Sequence, residues 1–478
     1  PYYQAGGLIV TVSIDPVTND PAIAPLSSSS LTRALSDAVT WERYDARKAD
    51  WVRADPPARH VAVLFDGKQF RHLPALAGVA RQPYFRECDG TLISSPGYDP
   101  VSKRFGVFDA SAFAIPSAPT RDDALASLAL LKELFVEFPF ATATDESAAL
   151  SAAFTAATRP TLPHAPGIHV RAAVIGSGKS YLCDVIGAFA GPAGNAKVSY
   201  PKTSEEANKV MISHLLPGPA VIEFDDMDTD WIPHGTINRM LTSEHITDRI
   251  LGVSKTATVS TRSLFLASGN NVGPVRDLLR RVITIRLDAR CETPTTRTYR
   301  GTPLQELRHN RGRYVSAVLT IIQAWRQAGC PRSGVESVAT YNGAWADYCR
   351  HPLIWLGQPD PAEPLLLQVK DDPDANALRT LMTEWHTAFG SAPMTVRKVI
   401  DAAGYQHDDL LDAIREFPVE DRGEINPSKL GWLLKKNADR IVDGHAFQRC
   451  QADGRTAWRV VKVNSSTSAP ASTGSEDN

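Results

Sequence analysis

The pattern of apolar and polar positions changes near residue 120. RDDALASLALLKELFVEF (121–138) has apolar residues at helical spacing and begins with acidic residues, which a helix N-terminus favours. ESAALSAAFTAATR (146–159) predicts a second helix. Apolar runs that each predict a buried strand follow, and they are IHVRAAVI, PAVIEF, SLFLAS and VITIRL. Strands that alternate with helices indicate an α/β core over 119–350.

The N-terminal region, residues 1–118, has a different pattern. Short alternating runs such as HVAVLF (60–65) and GTLISS (90–95) are separated by Asp-Gly and Pro-Gly turn signals. This pattern predicts a small β-rich or α+β domain, to which we assign no chemistry. Its aromatic residues are either a base-stacking surface or, more commonly, the core of a small domain; they are Trp41, Tyr44, Trp51 and Tyr84.

The C-terminal region predicts a separate module. A Pro-rich stretch within 351–375 reads as a linker, and 376–463 contains four helical patterns followed by two strands around an Asp-Gly turn. Helices followed by such a hairpin predict a winged helix. Its basic face, with Lys435 and Lys436, is either a DNA surface or the solvated face of a protein–protein module. The Ser/Thr-rich tail 464–478 is expected to be disordered.

Composition narrows the class of protein. The 478 residues carry a net charge of −2 and are 43% hydrophobic, so any nucleic-acid contact has to come from local basic patches. The six cysteines are scattered without C-x-x-C spacing, which fits a reducing cytoplasm and indicates no zinc site. No apolar run approaches the length of a membrane span. We therefore expect a cytoplasmic protein with no membrane partner.

The segment AVIGSGKS, which begins at Ala173, has the spacing of a phosphate-binding loop with Ala in place of the first Gly. Glycines let the backbone N–H groups turn inward around a polyphosphate, Lys179 would reach the β- and γ-phosphates, and the Ser180 hydroxyl would bind Mg²⁺. A chance match in a turn is the alternative. The residues expected to contact the nucleotide are Ala173, Gly176, Ser177, Gly178, Lys179, Ser180 and Tyr181.

Two later strands end in polar residues suited to the same site. PAVIEFDDMD ends its apolar run at Asp225, expected to hold the Mg²⁺ water shell, and at Asp226, expected to polarise the attacking water. SLFLASGNN leads to Asn270, which would position that water. Ordinary acidic and Asn-containing turns are the alternatives.

The segment RILGVSKTATVSTRS (249–263) predicts a two-stranded ribbon with its tip near Lys255. With Arg249 and Arg262 nearby, Lys255 would contact a phosphate backbone, or it is a solvent-exposed lysine in a turn. Arg280 and Arg281 precede the next strand. They are either surface charge or the source of an arginine finger for a neighbouring subunit.

This order of motifs resembles the AAA+ ring helicases of the superfamily-three and minichromosome-maintenance type. It is similar above all to the replication helicases of bacterial mobile elements and prophages, including those of staphylococcal cassette chromosomes. The resemblance covers about residues 70–360 and includes LPALAGVARQPYF, ISSPGYDPVSKRFGVF and LTSEHITDRILG.

The resemblance implies an AAA+ P-loop ATPase core that binds ATP and Mg²⁺ between the subunits of a ring, with a hexamer expected. It makes Lys179 and Ser180 the P-loop pair, Asn270 the sensor, and Lys255 the hairpin tip that grips DNA. Arg281 would be the finger, with Arg280 as second choice. The sequence departs from the family at Asp226, where Glu is usual, which puts the role of that acid in doubt.

The sequence as a whole therefore predicts an ATP-dependent DNA helicase or translocase that replicates a mobile element or phage. Its partners would be single-stranded or forked DNA, further copies of itself, and a primase or single-strand-binding protein of the same element. The alternatives are an ATP-switched initiator that binds origin DNA without unwinding it, and a remodeller or small-molecule kinase that does not act on DNA.

Overall fold

The structure is a computed structural model, and it divides the chain into two compact units, Pro1–Val369 and Lys370–Asn478. The residues it describes are 1–67, 69–250, 256–291, 293–294, 299–332 and 334–463.

The first unit begins with a three-stranded antiparallel sheet, a helix, a hairpin and a second helix. These elements are β1 (Tyr2–Ala5), β2 (Leu8–Ile14), β3 (Pro21–Pro25), α1 (Ser28–Ala38), β4 (Glu42–Asp45), β5 (Asp50–Arg53) and α2 (Ala58–Asp66). Tyr44 and Trp51 pack edge to face across the β4–β5 hairpin and are exposed, whereas Tyr84 is fully buried. The predicted aromatic set therefore divides between surface and core.

Short strands complete the N-terminal region. They are β6 (Gly78–Ala80), β7 (Tyr84–Phe85), β8 (Leu92–Ile93), β9 (Gly97–Asp99) and β10 (Arg104–Gly106). β10 pairs with β6 in parallel and with β9 in antiparallel orientation. Of these strands, only β8 lies in a run that the sequence identifies, GTLISS (90–95). The other run, HVAVLF (60–65), lies in the helix α2, so its interpretation as a β-type alternating run is wrong.

Two helices lead into the core, as the sequence predicts. They are α3 (Arg121–Phe135) and α4 (Ala143–Thr158). α3 begins with a capping box, because the Thr120 hydroxyl accepts from the Asp123 N–H while the Asp123 carboxylate accepts from the Thr120 N–H. α4 is buried along nearly its whole length, which its alanine-rich sequence permits.

A five-stranded parallel sheet forms the centre of this unit, in the strand order β12-β13-β16-β11-β17. The strands and the helices between them are β11 (Gly167–Ala172), α5 (Lys179–Ala190), β12 (Ala196–Val198), α6 (Ser204–Leu215), β13 (Val221–Met227), α7 (Gly235–Thr242), β16 (Leu264–Asn270) and β17 (Val282–Leu287). This α/β arrangement is consistent with a P-loop ATPase core. Because all five strands are parallel, their carboxyl ends meet at one edge, where ligands bind in open α/β sheets.

An antiparallel ribbon lies in the chain between α7 and β16. It is formed by β14 (His245–Arg249) and β15 (Thr256–Ser260). The ribbon therefore begins four residues before the segment that the sequence predicts for it. Its base is fixed by a hydrogen bond from the Thr261 N–H to the Glu244 carbonyl, at 2.9 Å.

Four helices close the first unit, and they are α8 (Pro303–His309), α9 (Arg311–Gln327), α10 (His351–Trp355) and α11 (Glu363–Lys370). α9 is the amphipathic helix that the sequence predicts, and it packs against α3. Arg311 is half-buried, and its guanidinium donates to the Ala188 and Phe189 carbonyls at 2.8 and 3.0 Å. The stretch 351–375, predicted as a linker, contains α10 and α11, because Leu353 and Leu365 belong to the main hydrophobic core.

The second unit has its own core. Its elements are α12 (Pro373–Phe389), α13 (Val396–Gln406), α14 (Asp408–Arg415), β18 (Glu420–Asp421), β19 (Glu424–Ile425), α15 (Pro427–Lys436), β20 (His445–Ala452) and β21 (Arg455–Lys462). The four predicted helices and the terminal hairpin are all present, and the hairpin turns at Asp453 and Gly454 with positive φ at both. Trp385, Leu430 and Phe447 lie in this core.

Candidate nucleotide site

The segment 173–178 forms a turn between β11 and α5. Gly176 and Gly178 have φ of 79° and 87°, a left-handed conformation that disfavours side chains. No atom lies within 4 Å of a Cβ built on Gly178, so backbone conformation and not space requires this glycine. The Ser177 hydroxyl donates to the Val174 carbonyl at 2.6 Å and closes the turn. The loop thus leads directly into the N-terminus of α5, and a helix N-terminus favours bound anions.

Lys179 contacts β16 at this point. Its ammonium donates to the Asn270 Oδ1 at 2.6 Å, and β11 pairs with β16 so that Ala172 lies opposite Asn270. Partial burial lowers the pKa of Lys179, while the Asp226 carboxylate opposes that shift. The structure therefore brings together two of the predicted residues that are 91 positions apart in the chain.

Asp225 lies between α5 and β16. Its Oδ1 accepts from the Ser180 hydroxyl at 3.1 Å and from the Ser268 hydroxyl at 2.9 Å. Its Oδ2 accepts from the Lys197 ammonium at 2.8 Å. Burial favours the neutral acid, but the Lys197 and Ser268 bonds outweigh it and hold the pKa of Asp225 below its ordinary value. The carboxylate is therefore ionised and oriented.

A bulge in β13 presents the two acids. Phe224 pairs with Ala267 and Met227 with Gly269, so two residues of β13 lie opposite the single residue Ser268. Asp226 has φ of 49° and is exposed, and its N–H donates to the Asp225 Oδ1 at 3.0 Å. The positive φ turns Asp226 out of the sheet, at the edge where Lys179 lies.

Behind Asp225 lies a layer of charged residues that the sequence analysis does not identify. The Lys197 ammonium is 3.9 Å from both Asp184 and Glu223 carboxylate oxygens. Glu223 is fully buried, and its Oε2 accepts from the Asn195 amide at 2.7 Å. Burial raises the pKa of Glu223 to about 7. A charged residue within the apolar run VIEF is the sequence signal that could have identified this layer.

His169 connects β11 to the turn that follows β16. Its Nε2 is 2.8 Å from the Val272 carbonyl, and its Nδ1 accepts from the Trp231 indole N–H at 3.1 Å. Burial lowers the pKa of His169 to about 4. The neutral ring therefore donates through Nε2, and it ties the strand that carries the P-loop to the turn that follows Asn270.

The donor atoms at this edge fit a magnesium ion. Hydroxyl and carboxylate oxygens are the ligands that Mg²⁺ prefers, and the Ser180 Oγ and Asp225 Oδ1 lie 3.1 Å apart beside the P-loop. Mg²⁺ commonly takes only one or two protein ligands and completes its coordination with phosphates and water, so this sparse donor set is sufficient.

A cavity of about 280 Å³ adjoins the P-loop. Phe138 stacks on Tyr181 with ring centroids 6.0 Å apart, and the Tyr181 hydroxyl accepts from the Leu304 N–H at 3.3 Å. Tyr299 and the glycines of the loop also line the cavity. Phe138 and Tyr299 are absent from the predicted site. The segment FPFATATD, which contains Phe138, indicates only a connection between two helices. Two aromatic walls beside a P-loop suit the flat base of a nucleotide.

The two candidate finger residues have different environments. The Arg281 guanidinium is mostly buried and donates to the Asn238 carbonyl at 3.0 Å, and it pairs with Asp277 at 2.7 Å. The Arg280 side chain is 59% exposed and pairs with the other oxygen of Asp277. Arg281 is thus engaged within its own subunit, whereas Arg280 is presented at the surface.

The basic residues of the ribbon are not equivalent. Lys255, the predicted tip, lies outside the described residues, and Arg249 is exposed at the end of β14. Arg262 is only 8% exposed and pairs with Glu87 at 2.5 Å, while donating to the Pro160 carbonyl at 3.0 Å. The position of Arg262 at the buried base of the ribbon does not support the predicted contact with DNA.

The second unit has a basic groove of about 550 Å³. Lys435 lies on its wall with Arg397 and Arg455, and Trp458 forms part of its floor. Lys436 is exposed, and its ammonium lies 5.2 Å from the centre of the Trp432 ring. Cationic side chains around an apolar floor are typical of nucleic-acid-binding surfaces.

The fold has been compared with known proteins. No protein-family model matches the sequence, and no curated protein matches it either. Structural matches include the apo A form of the NrS-1 C-terminal region, with a TM-score of 0.40 at 11% identity, covering 95% of this chain and 96% of that one. The active helicase Cch of SCCmec type IV matches with a TM-score of 0.32 at 13% identity, covering 97% of both chains.

The JCV helicase matches over a smaller part, 54% of this chain and 71% of that one, with a TM-score of 0.21 at 13% identity. Because identities and TM-scores are low, the roles proposed for individual residues rest on the geometry of this chain alone. No helix in the described ranges is both long enough and apolar enough to cross a bilayer.

Proposed function

We propose that this protein is an ATP-dependent DNA helicase or translocase that acts in the replication of a mobile element or phage. The observation that carries the nucleotide part is the hydrogen bond of 2.6 Å between Lys179 and Asn270, next to Asp225 on β13, the strand that pairs with β16. A P-loop lysine, an acidic strand end and a polar sensor then face one point at the edge of a parallel sheet. This is the arrangement that phosphoryl transfer to water needs.

Each residue has a defined task in ATP hydrolysis. The loop N–H groups and Lys179 hold the phosphates, and Ser180 and Asp225 hold Mg²⁺ and its water shell. The bound Mg²⁺ supplies charge neutralisation at the phosphates. Asp226 accepts a proton from the attacking water and Asn270 orients it. The protein contributes position and charge and no covalent chemistry.

The active site is completed across a subunit interface of a ring, for which a hexamer is our working assembly. Arg280 suits the finger better than Arg281, since its side chain is 59% exposed whereas that of Arg281 is mostly buried. Both guanidiniums pair with Asp277, and Arg281 also donates to the Asn238 carbonyl. An arginine from the neighbour would stabilise the charge on the transferred phosphate and couple hydrolysis to movement between subunits.

DNA would be contacted at two places. The exposed Arg249 of the ribbon and Lys255, which the sequence predicts at the ribbon tip, would follow the phosphate backbone in the ring channel, and ATP-driven movement of the ribbons would pull the strand. The second unit would act as a winged helix, with Lys435 and Lys436 on its basic side. Its groove of about 550 Å³ also favours the second candidate function, an initiator that binds duplex DNA and uses ATP only as a switch.

Strand displacement on a forked duplex, measured with ATP, decides between these functions. A helicase releases the labelled strand in the wild type and not in Lys179→Ala. An initiator binds the same fork without releasing the strand in either protein. Duplex binding that is unchanged in Lys179→Ala shows that the variant is folded.

A further inference from the structure

A second cavity, of about 350 Å³, lies between the N-terminal strands and the ATPase core. One wall is apolar and includes Val10, Ile23 and Leu216. The other wall is basic, with arginines contributed by four separate segments of the chain, and it also includes the base of the β14–β15 ribbon. None of its lining residues belongs to the P-loop, and neither Asp225 nor Asn270 takes part in it.

Arg104 is the central feature of the basic wall. The residue is only 7% exposed, and it comes from β10 and lines the cavity. Within the described part of the chain, its guanidinium has no hydrogen-bond acceptor and no carboxylate within ion-pair distance. The Arg104 Nη1 atom lies over Gly78, so close that a Cβ on this glycine would be 2.9 Å from it. A buried guanidinium without a partner is costly, so an acceptor is expected.

The other three arginines of the cavity are already engaged. Arg81 forms a bidentate pair with Asp20, at 2.5 and 2.6 Å. Arg159 donates to three backbone carbonyls, the longest of these bonds being 2.9 Å. Arg262 pairs with Glu87 at 2.5 Å. Arg104 therefore differs from its neighbours, because none of its five N–H donors has a partner among the described residues.

The local charge is positive. The nearest acids, Glu87 and Glu244, are held by Arg262, whose guanidinium also repels that of Arg104. Burial, followed by this repulsion, lowers the pKa of Arg104 to about 9. Arg159, whose partners are neutral carbonyls, adds a further positive charge that no carboxylate neutralises. An anion bound between these groups would relieve the repulsion.

We propose that this cavity is a binding site for a phosphate group, held by Arg104 and the positive charge around it and separate from the ATP site. Arginine prefers phosphate because its planar N–H fork fits two oxygens at once. The volume and the apolar wall suit a small phosphorylated molecule better than a bare ion. The same chemistry also admits one phosphate of a DNA backbone as the source.

Such a ligand would contact both the N-terminal sheet and the β14–β15 ribbon. Gly6, in the turn between β1 and β2, packs against Thr258 of the ribbon so closely that a Cβ would lie 2.1 Å from its carbonyl oxygen. Gly6, Thr258 and Ser260 all line the cavity. The bound phosphate would therefore tie the N-terminal sheet to the base of the ribbon.

Isothermal titration calorimetry of the full chain tests the site. The titrations use pyrophosphate, AMP and a single-stranded oligonucleotide, in a Lys179→Ala background that removes the P-loop lysine and makes the result independent of ATP turnover. We compare Arg104 intact with Arg104→Gln, and use Lys103→Gln as the control, because Lys103 is the exposed neighbour. Arg104→Gln should weaken binding by at least about tenfold and Lys103→Gln should leave it unchanged.

The three probes distinguish the sources of the phosphate. Arg104-dependent binding of pyrophosphate or AMP identifies a soluble ligand, and Arg104-dependent binding of the oligonucleotide alone identifies a DNA phosphate. Equal binding of all three probes with and without Arg104 would overturn the proposal.

Thermal unfolding without ligand gives an independent reading. Removing an unpaired buried charge should leave the melting temperature of Arg104→Gln unchanged or raise it, because no partner is lost. A marked fall would mean that Arg104 is a structural residue, and would contradict the proposal. Gly78→Ala, which crowds the guanidinium, should weaken phosphate binding in the same direction.

Discussion

At the scale of single residues, Asp225 connects most of the site. Its carboxylate accepts hydrogen bonds from Ser180, Ser268 and Lys197, which come from three different elements. Glu223 lies two positions earlier on β13, so its side chain points to the same face. The Asp225 carboxylate is thus fixed by its donors, while the Glu223 carboxyl beside it lacks a full set of partners.

Glu223 should make stability depend on pH. Its pKa in the folded chain is about 7, raised by burial from an ordinary value of 4.5. The stabilising contribution of its proton is therefore complete below about pH 4.5 and is lost as the pH rises through about 7. Glu223→Gln mimics the protonated acid, so at pH 8 it should be more stable than the wild type by about 3 kcal/mol.

Urea denaturation between pH 4.5 and pH 8 measures this difference. The two proteins should converge at the acidic end. Glu416→Gln, which neutralises an exposed glutamate, is the control and should show no such trend. A constant difference between Glu223→Gln and the wild type across this range would contradict the raised pKa.

Residue types and spacing predict the P-loop, Asp225 and Asn270 because each follows directly from a buried strand. Lys197 and Glu223 are not predicted as part of the site, since their importance arises from contacts between segments 26 residues apart in the sequence. Arg262 is a predicted DNA contact that the structure does not support. Its place in a basic ribbon suggests the contact, but its guanidinium pairs with Glu87.

At the scale of elements, the packing of α5 fixes the geometry of the P-loop. Gly187 leaves room on this helix for Asn195, whose amide donates to the Cys183 carbonyl at 3.1 Å and to Glu223 at 2.7 Å. A Cβ on Gly187 would lie 1.8 Å from the Asn195 Oδ1. The helix, the following turn and β13 are therefore held together through one asparagine.

Gly187→Ala should destabilise the chain by about 2 kcal/mol, because Asn195 has to move and lose both hydrogen bonds. The free energy of unfolding, measured with urea, gives the size of the effect. Gly194→Ala is the matched control, since no atom lies within 4 Å of its Cβ and the change should stay within about 0.5 kcal/mol. Equal stability of both variants would show that Asn195 does not hold α5.

Periodicity predicts the long elements well. α3, α4, α9, the four helices of the second unit and the core strands β11, β13, β16 and β17 all lie where the apolar pattern places them. The fifth core strand β12, the short strands other than β8, and the helices α10 and α11 are not predicted. Leu353 of α10 and Leu365 of α11 are buried in the main hydrophobic core, and a local pattern does not report that packing.

At the scale of the whole molecule, the proposed ring requires each subunit to complete its neighbour's site. Arg280 is exposed and belongs to a segment other than the P-loop, which suits a residue that acts across an interface. The family resemblance ranks Arg281 first and Arg280 second. The exposure of the two side chains favours the reverse order, and exposure depends on tertiary packing that the sequence does not show.

Mixing two inactive variants tests this arrangement. Arg280→Ala and Lys179→Ala should each hydrolyse ATP poorly, but a mixed ring contains interfaces with an intact P-loop on one side and an intact finger on the other. Random mixing should restore roughly a quarter of wild-type ATP turnover. Absence of any recovery, with mixed rings demonstrated by crosslinking, would contradict a finger at Arg280. The same mixing with Arg281→Ala is the control, and it should not restore turnover if Arg281 acts within its own subunit.

The measurement that tests the central claim most directly is the rate of ATP hydrolysis by the full chain with and without single-stranded DNA, alongside Lys179→Ala. A DNA-coupled motor should hydrolyse ATP faster when DNA is present, and Lys179→Ala should lose both the basal and the stimulated rates. Hydrolysis by Lys179→Ala at the wild-type rate would contradict the nucleotide site, and hydrolysis indifferent to DNA would contradict the motor.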